Sequence, residues 1–168
     1  MKNIYLIGFM GAGKTTIGQL LAKEAGAPFI DLDELISEKS QLSIPDIFEQ
    51  FGEDGFRRRE TEALKSCHRN GTIIATGGGI VERRENIEIM KNSGTIVFLD
   101  VPFEKIYERI QDDPNRPITK FGRDALKERY TKRLPLYKEA NIVISEVAEM
   151  EETVQLIKES LCSKDKKA

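Results

Sequence analysis

Little in this sequence could hold a metal cluster, a disulfide framework or a polyanion. The two cysteines, Cys67 and Cys162, stand far apart in no metal-binding or redox spacing, so reduced thiols are expected. The one histidine, His68, falls near the end of an expected helix, where a partial positive charge is welcome, and is given no catalytic part. Net charge is −2, from 26 basic and 28 acidic side chains, so there is no basic excess for a nucleic-acid partner. Local arginines can still gather around a small anion. No apolar run is long enough to cross a bilayer, and no signal segment precedes the first strand pattern, so no membrane association and a cytoplasmic location are expected. Neither a linker nor a repeat divides the 168 residues. Residues 1–162 read as one domain, and Ser163 to Ala168 as a loose polar tail.

What is present is concentrated at Gly8 to Thr15, which reads G-F-M-G-A-G-K-T. The apolar run Ile4–Ile7 precedes it, and a helical pattern, Ile17 to Ala25, follows. This is the strand–loop–helix setting of a phosphate-binding loop. Its glycines let successive backbone N–H groups converge on a nucleotide's phosphates at the positive end of a helix. Gly11, Ala12, Gly13, Lys14, Thr15 and Thr16 are the expected ATP contacts, with Lys14 reaching the outer phosphates and the Thr15 hydroxyl available to Mg²⁺.

Further apolar runs lie at Pro28–Leu32, Thr72–Thr76, Thr95–Leu99 and Asn141–Ser145. They are continuous rather than alternating, as in strands covered on both faces. With helical stretches between them, they predict an α/β fold, a doubly wound five-stranded parallel sheet with helices on both faces. Ser43 is expected to cap a helix ending at Gly52, with a second helix from about Asp54 to Asn70. A charged helix, Asp124 to Lys138, is expected to be interrupted near Pro135, and a last one to run from about Glu149 to Leu161. The polar, proline-rich segment 111–122 has the character of a mobile lid.

In such sheets ligands bind beyond the carboxyl ends of the strands. The second strand ends in Asp31-Leu32-Asp33, and two carboxylates beside a phosphate loop suit two tasks. One would hold the water shell of Mg²⁺ and the other would orient or deprotonate an attacking hydroxyl. Asp33 could instead cap the next helix. Gly77-Gly78-Gly79 after the third strand permits close approach of backbone to a ligand. In Phe56-Arg57-Arg58-Arg59-Glu60, Arg57 and Glu60 are three apart on a helix and can pair, fixing a guanidinium for a carboxylate ligand. At least one of Arg58 and Arg59 belongs to a solvated face. Asp100 imitates a second metal-binding strand end, but is read as capping a turn before Pro102.

Together G-F-M-G-A-G-K-T-T, D-L-D, F-R-R-x-E, T-G-G-G, N-R-P and R-L-P-L-Y resemble the shikimate kinase family, in the nucleoside-monophosphate-kinase branch of phosphate-loop proteins, from Lys2 to about Ser145. The resemblance implies a phosphate-loop kinase fold and ATP-dependent phosphorylation of shikimate on the route to chorismate and the aromatic amino acids. It also implies a monomer using Mg²⁺. By it, Lys14 holds the transferring phosphate, Thr15 and Asp31 hold the ion, and Asp33 binds the shikimate hydroxyls as, or near to, the base. Arg57 and Arg133 clamp the shikimate carboxylate, Gly78 and Gly79 offer backbone N–H groups, and Phe48 and Phe56 wall the pocket. Arg116 swings in from the lid to the phosphates, and Arg109 flanks adenine. Departures are Ile118 after Arg116-Pro117 and the lack of a proline between Ser145 and Met150. The rival readings are a gluconate-type kinase and a catalytically inactive relative acting as a binding module.

Overall fold

The five apolar runs form one sheet: β1 (Asn3–Ile7), β2 (Phe29–Asp31), β3 (Ile73–Ala75), β4 (Gly94–Asp100) and β5 (Ile142–Ser145). They lie in the order β2-β3-β1-β4-β5, and every neighbouring pair is parallel. All of β1 is buried, as a central strand covered on both faces must be. This computed structural model describes residues 1–112, 122–145 and 149–167. The expected lid and Arg116 therefore fall almost wholly, and entirely, outside the described residues, as does most of the adenine-side loop at 146–148.

The helices are α1 (Lys14–Ala25), α2 (Leu32–Ser40), α3 (Ile44–Ser66), α4 (Arg84–Ser93), α5 (Phe103–Gln111), α6 (Gly122–Tyr137) and α7 (Met150–Asp165). A single 3-10 turn, Ile80–Glu82, joins the triple glycine to α4. The core runs along the sheet, with Leu6, Ile73, Ile74, Val97, Leu32 and Val154 all fully buried.

Four boundaries differ from the sequence reading. The two helices expected on either side of Gly52 abut with no loop, because Gly52 turns the chain within one residue (φ 68°, ψ −175°). The second half stops at Ser66 rather than Asn70, and the Cys67 carbonyl that another turn would use accepts instead from Asn3 Nδ2 (3.2 Å). His68 thus lies beyond the helix, exposed. Helix α6 passes through Pro135 without interruption. A proline there removes one ladder bond, and the buried Leu126, Arg133 and Tyr137 hold that face of the helix in place. Helix α7 continues to Asp165, so Ser163 to Asp165 of the expected tail are helical. Ser43 does cap α3, accepting from the Asp46 N–H (3.2 Å).

The first strand sits between β3 and β4, yet the chain runs from it to β2, so the strand order reverses at β1. The carboxyl ends of β1, β2 and β3 therefore open on one crevice.

Candidate active site

The loop after β1 turns through Gly11 (φ 78°) and Gly13 (φ 92°), both left-handed positions that a side chain would strain. Gly13 then caps α1 with no side chain of its own, which leaves the first N–H groups of the helix facing the crevice. Lys14 is only 9% exposed, and its ammonium donates to the Gly8 (2.6 Å) and Phe9 (3.0 Å) carbonyls. The cation is therefore folded over the inner side of the loop, where phosphate oxygens would lie.

The Thr15 hydroxyl donates to Asp31 Oδ2 (2.8 Å). Asp31 Oδ1 accepts from the backbone N–H groups of Asp33 (3.0 Å) and Glu34 (3.2 Å). Asp31, not Asp33, is thus the N-cap of α2. This removes the structural alternative for Asp33, which occupies the first turn with its carboxylate turned toward Gly77. Helix α5 starts after Pro102 with no side-chain cap.

The triple glycine proves to be a floor for charged side chains. A Cβ on Gly77 would press on Asp33 Oδ1 (3.0 Å) and Glu60 Oε2 (3.2 Å), and one on Gly78 would touch Arg133 Nη1 (3.4 Å). A Cβ on Gly79 would overlap the Arg57 guanidinium. None of the three has a positive φ, so at Gly77 and Gly79 space rather than backbone freedom favours glycine, while a Cβ on Gly78 would make ordinary contact. Arg57 Nη1 donates to Glu60 Oε1 (2.9 Å), the pair foreseen from the i,i+3 spacing. Its Nη2 lies 3.1 Å from Glu82 Oε2, and Arg133 Nε donates to Glu82 Oε1 (3.3 Å). Tyr137, one helical turn after Arg133, donates its hydroxyl to the Gly78 carbonyl (2.6 Å) and stacks on Phe98. Burial raises that phenol to about 12, so it stays a donor.

Glu60 is fully buried, and this burial raises its carboxyl to about 7, with the Asp33 charge adding to the rise and Arg57 opposing it. The folded value lies above the ordinary 4.5. Stability from this group is therefore complete below pH 4.5 and is lost as pH rises through 7. The loss is about 3 kcal/mol for a shift of this size. Urea titrations should show the wild type losing stability relative to Glu60→Gln between pH 4.5 and 8. Parallel curves would contradict the assignment.

Two cavities meet at the loop. One, of about 440 Å³, is lined by Lys14, Thr15, Asp31, Asp33, Gly77 and Gly78, so the residues expected at the phosphates and the ion share one space with Asp33 and Gly78 of the acceptor set, while Arg57, Gly79, Arg133, Phe48 and Phe56 do not line it. The other, of about 360 Å³, runs over Gly11 to Gly13 and Thr16 toward Ile144, Met150 and Thr153. Arg109 borders both and donates to the Gly11 carbonyl (3.1 Å). Phe48 and Phe56 stack at 4.6 Å, with the Arg57 guanidinium 5.3 Å from the Phe56 ring. Arg58 is exposed and Arg59 lies over Phe51, so neither belongs to the crevice. Sequence reasoning missed Glu82, whose partners are distant in the chain, and Tyr137. The latter was visible as the last letter of R-L-P-L-Y, four residues after Arg133.

Sheet order, loop and crevice together define a phosphate-loop kinase. A family model described as shikimate kinase matches residues 10–162, and the chain belongs to that family. It is 39% identical over 162 residues to the shikimate kinase of a Sulfurihydrogenibium species, covering 96% of each chain. The structure resembles that of shikimate kinase from Acinetobacter baumannii in complex with shikimate, with TM-score 0.91 and 38% identity, covering 98% of this chain and 94% of that one. It also resembles shikimate kinase from Aquifex aeolicus, with TM-score 0.88 and 41% identity, covering 97% and 98%. A gluconokinase from Sinorhizobium meliloti, 16% identical with TM-score 0.65, shares the fold alone.

Proposed function

We infer that the protein transfers the terminal phosphoryl group of ATP to a hydroxyl of shikimate, giving ADP and shikimate 3-phosphate. One observation carries this reading beyond the family. Arg57 and Arg133, which share one carboxylate, converge with Asp33 on the glycine floor beside the phosphate loop. That pairing of cations and a carboxylate suits a small acid bearing hydroxyls. The two guanidiniums balance the acid, and Asp33 accepts from the hydroxyls.

Phosphoryl transfer of this kind needs in-line positioning and charge neutralisation more than covalent help. The loop N–H groups and Lys14 hold the phosphates, Arg109 and the second cavity take the nucleoside, and Arg116 meets the phosphates from segment 111–122. Asp33 orients the attacking hydroxyl and receives its proton. Thr15 and Asp31 fit Mg²⁺: they are a neutral and an anionic oxygen 2.8 Å apart at the loop, matching an ion that keeps most of its waters. The ion neutralises phosphate charge when bound. Closure over the crevice would exclude water, which otherwise competes for the phosphoryl group.

ADP release should be measured with ATP and Mg²⁺ in parallel with shikimate, gluconate, AMP or no acceptor. Turnover with shikimate alone is expected. Turnover with gluconate or AMP instead would keep the loop assignments and overturn those on the acceptor side. Silence throughout, with ATP still binding, would favour an inactive binding module.

A further inference from the structure

The carboxylate seat already contains a carboxylate. Glu82 closes the 3-10 turn, with Oε2 3.1 Å from Arg57 Nη2 and Oε1 3.3 Å from Arg133 Nε. One oxygen on each guanidinium is how a ligand carboxylate would bridge the same two arginines. The arginine side chains are 11% and 7% exposed, and that of Glu82 is 33% exposed. Both arginines have other support. Arg57 is tied to the buried Glu60, and Arg133 lies 5.8 Å over the Phe9 ring. The backbone of Glu82 is pinned by its N–H to the Gly79 carbonyl (3.1 Å), while Asn86 Nδ2 holds the Ile80 carbonyl (3.0 Å). What can leave is therefore the Glu82 side chain, swinging toward solvent from a fixed turn.

Charge gives it reason to leave. Glu53, Glu60 and Glu82 already lie against the two guanidiniums, and a ligand carboxylate in the same seat would add a further anion at close range. We propose that Glu82 is an internal stand-in for the substrate's carboxylate, seated between Arg57 and Arg133 in the free protein and exchanged for the ligand's own carboxylate on binding. This rests on the reading of Arg57 and Arg133 as the carboxylate clamp. Each acid that binds must displace Glu82, so the residue lowers affinity for acids and screens the arginines from weaker anions. A ligand without a charged carboxylate, held by its hydroxyls alone, leaves Glu82 in place.

Calorimetric titration of wild type, Glu82→Gln, Glu82→Ala and Arg133→Ala with shikimate and with its methyl ester tests this, alongside steady-state rates. Both Glu82 variants should bind shikimate about two- to fivefold more tightly, the range for a partly exposed pair. Their affinity for the methyl ester should not change, and the effect should fall on KM rather than kcat. Unchanged or weaker shikimate binding in the Glu82 variants, with Arg133→Ala still weakening it, would make Glu82 a mere brace and overturn the exchange. Equal tightening of acid and ester would also overturn it. If Arg133→Ala binds shikimate like wild type, the clamp itself is wrong and the stand-in falls with it.

Discussion

Asp33→Asn is expected to lower kcat by about 10²- to 10⁴-fold, the usual contribution of a positioned proton acceptor. Affinity for ATP should stay near the wild-type value. The substitution is nearly isosteric, and it spares the start of α2 because the cap is the Asp31 carboxylate. It also leaves the Thr15–Asp31 bond untouched. What it removes is the anion above Gly77 and beside Glu60, the group able to take a proton from a hydroxyl. Steady-state rates, together with calorimetric titration of ATP, check this. Near-normal turnover would sink the role of Asp33. Lost ATP binding would show that the residue serves the nucleotide side.

Arg57→Ala should raise KM for shikimate by about 10²-fold or more, because truncating one member of a buried charge pair commonly costs 2–5 kcal/mol. It should also destabilise the fold in a pH-dependent way. Arg57 holds Glu60 toward its charged form against burial, so without it the carboxyl titrates still higher. At pH 8 the wild type has an ion pair where the variant keeps a protonated buried acid, and with a wild-type value of about 7 the pH-dependent part of the loss should reach about 1.4 kcal/mol. At pH 5 Glu60 is neutral in both proteins, and most of that difference should vanish. Denaturant unfolding at the two pH values measures it. Equal destabilisation at both would mean that Arg57 supports the fold by packing alone, and an unchanged KM would remove it from the clamp.

Much of this was legible in the chain because the relevant forces are local. The apolar runs named all five strands, since a parallel sheet covered on both faces needs continuous apolar residues. The phosphate loop is set by glycines within eight residues, and the Arg57–Glu60 pair by one helical turn. The sequence did not disclose what depends on packing between distant segments. Glu82 meets Arg57 and Arg133 only because the 3-10 turn, α3 and α6 converge, and no spacing announces that. The glycine triplet was read as permitting close approach of backbone to a ligand, and in the structure side chains of this protein lie against it. The uninterrupted course of α6 through Pro135 was hidden for a similar reason, since a buried face can outweigh a local penalty.

The glycine floor also bears on resistance to inhibitors. A compound resting on residues 77–79 would normally be evaded by growing a side chain beneath it. Here Gly77 lies against Asp33 and Glu60, Gly78 against Arg133 and Gly79 against Arg57. At Gly77 and Gly79 a methyl group that evicts the inhibitor would therefore also push on Asp33 or Arg57, which the acceptor side needs. Escape should arise instead at the rim, at positions such as Phe48, which is 38% exposed and supports no charge.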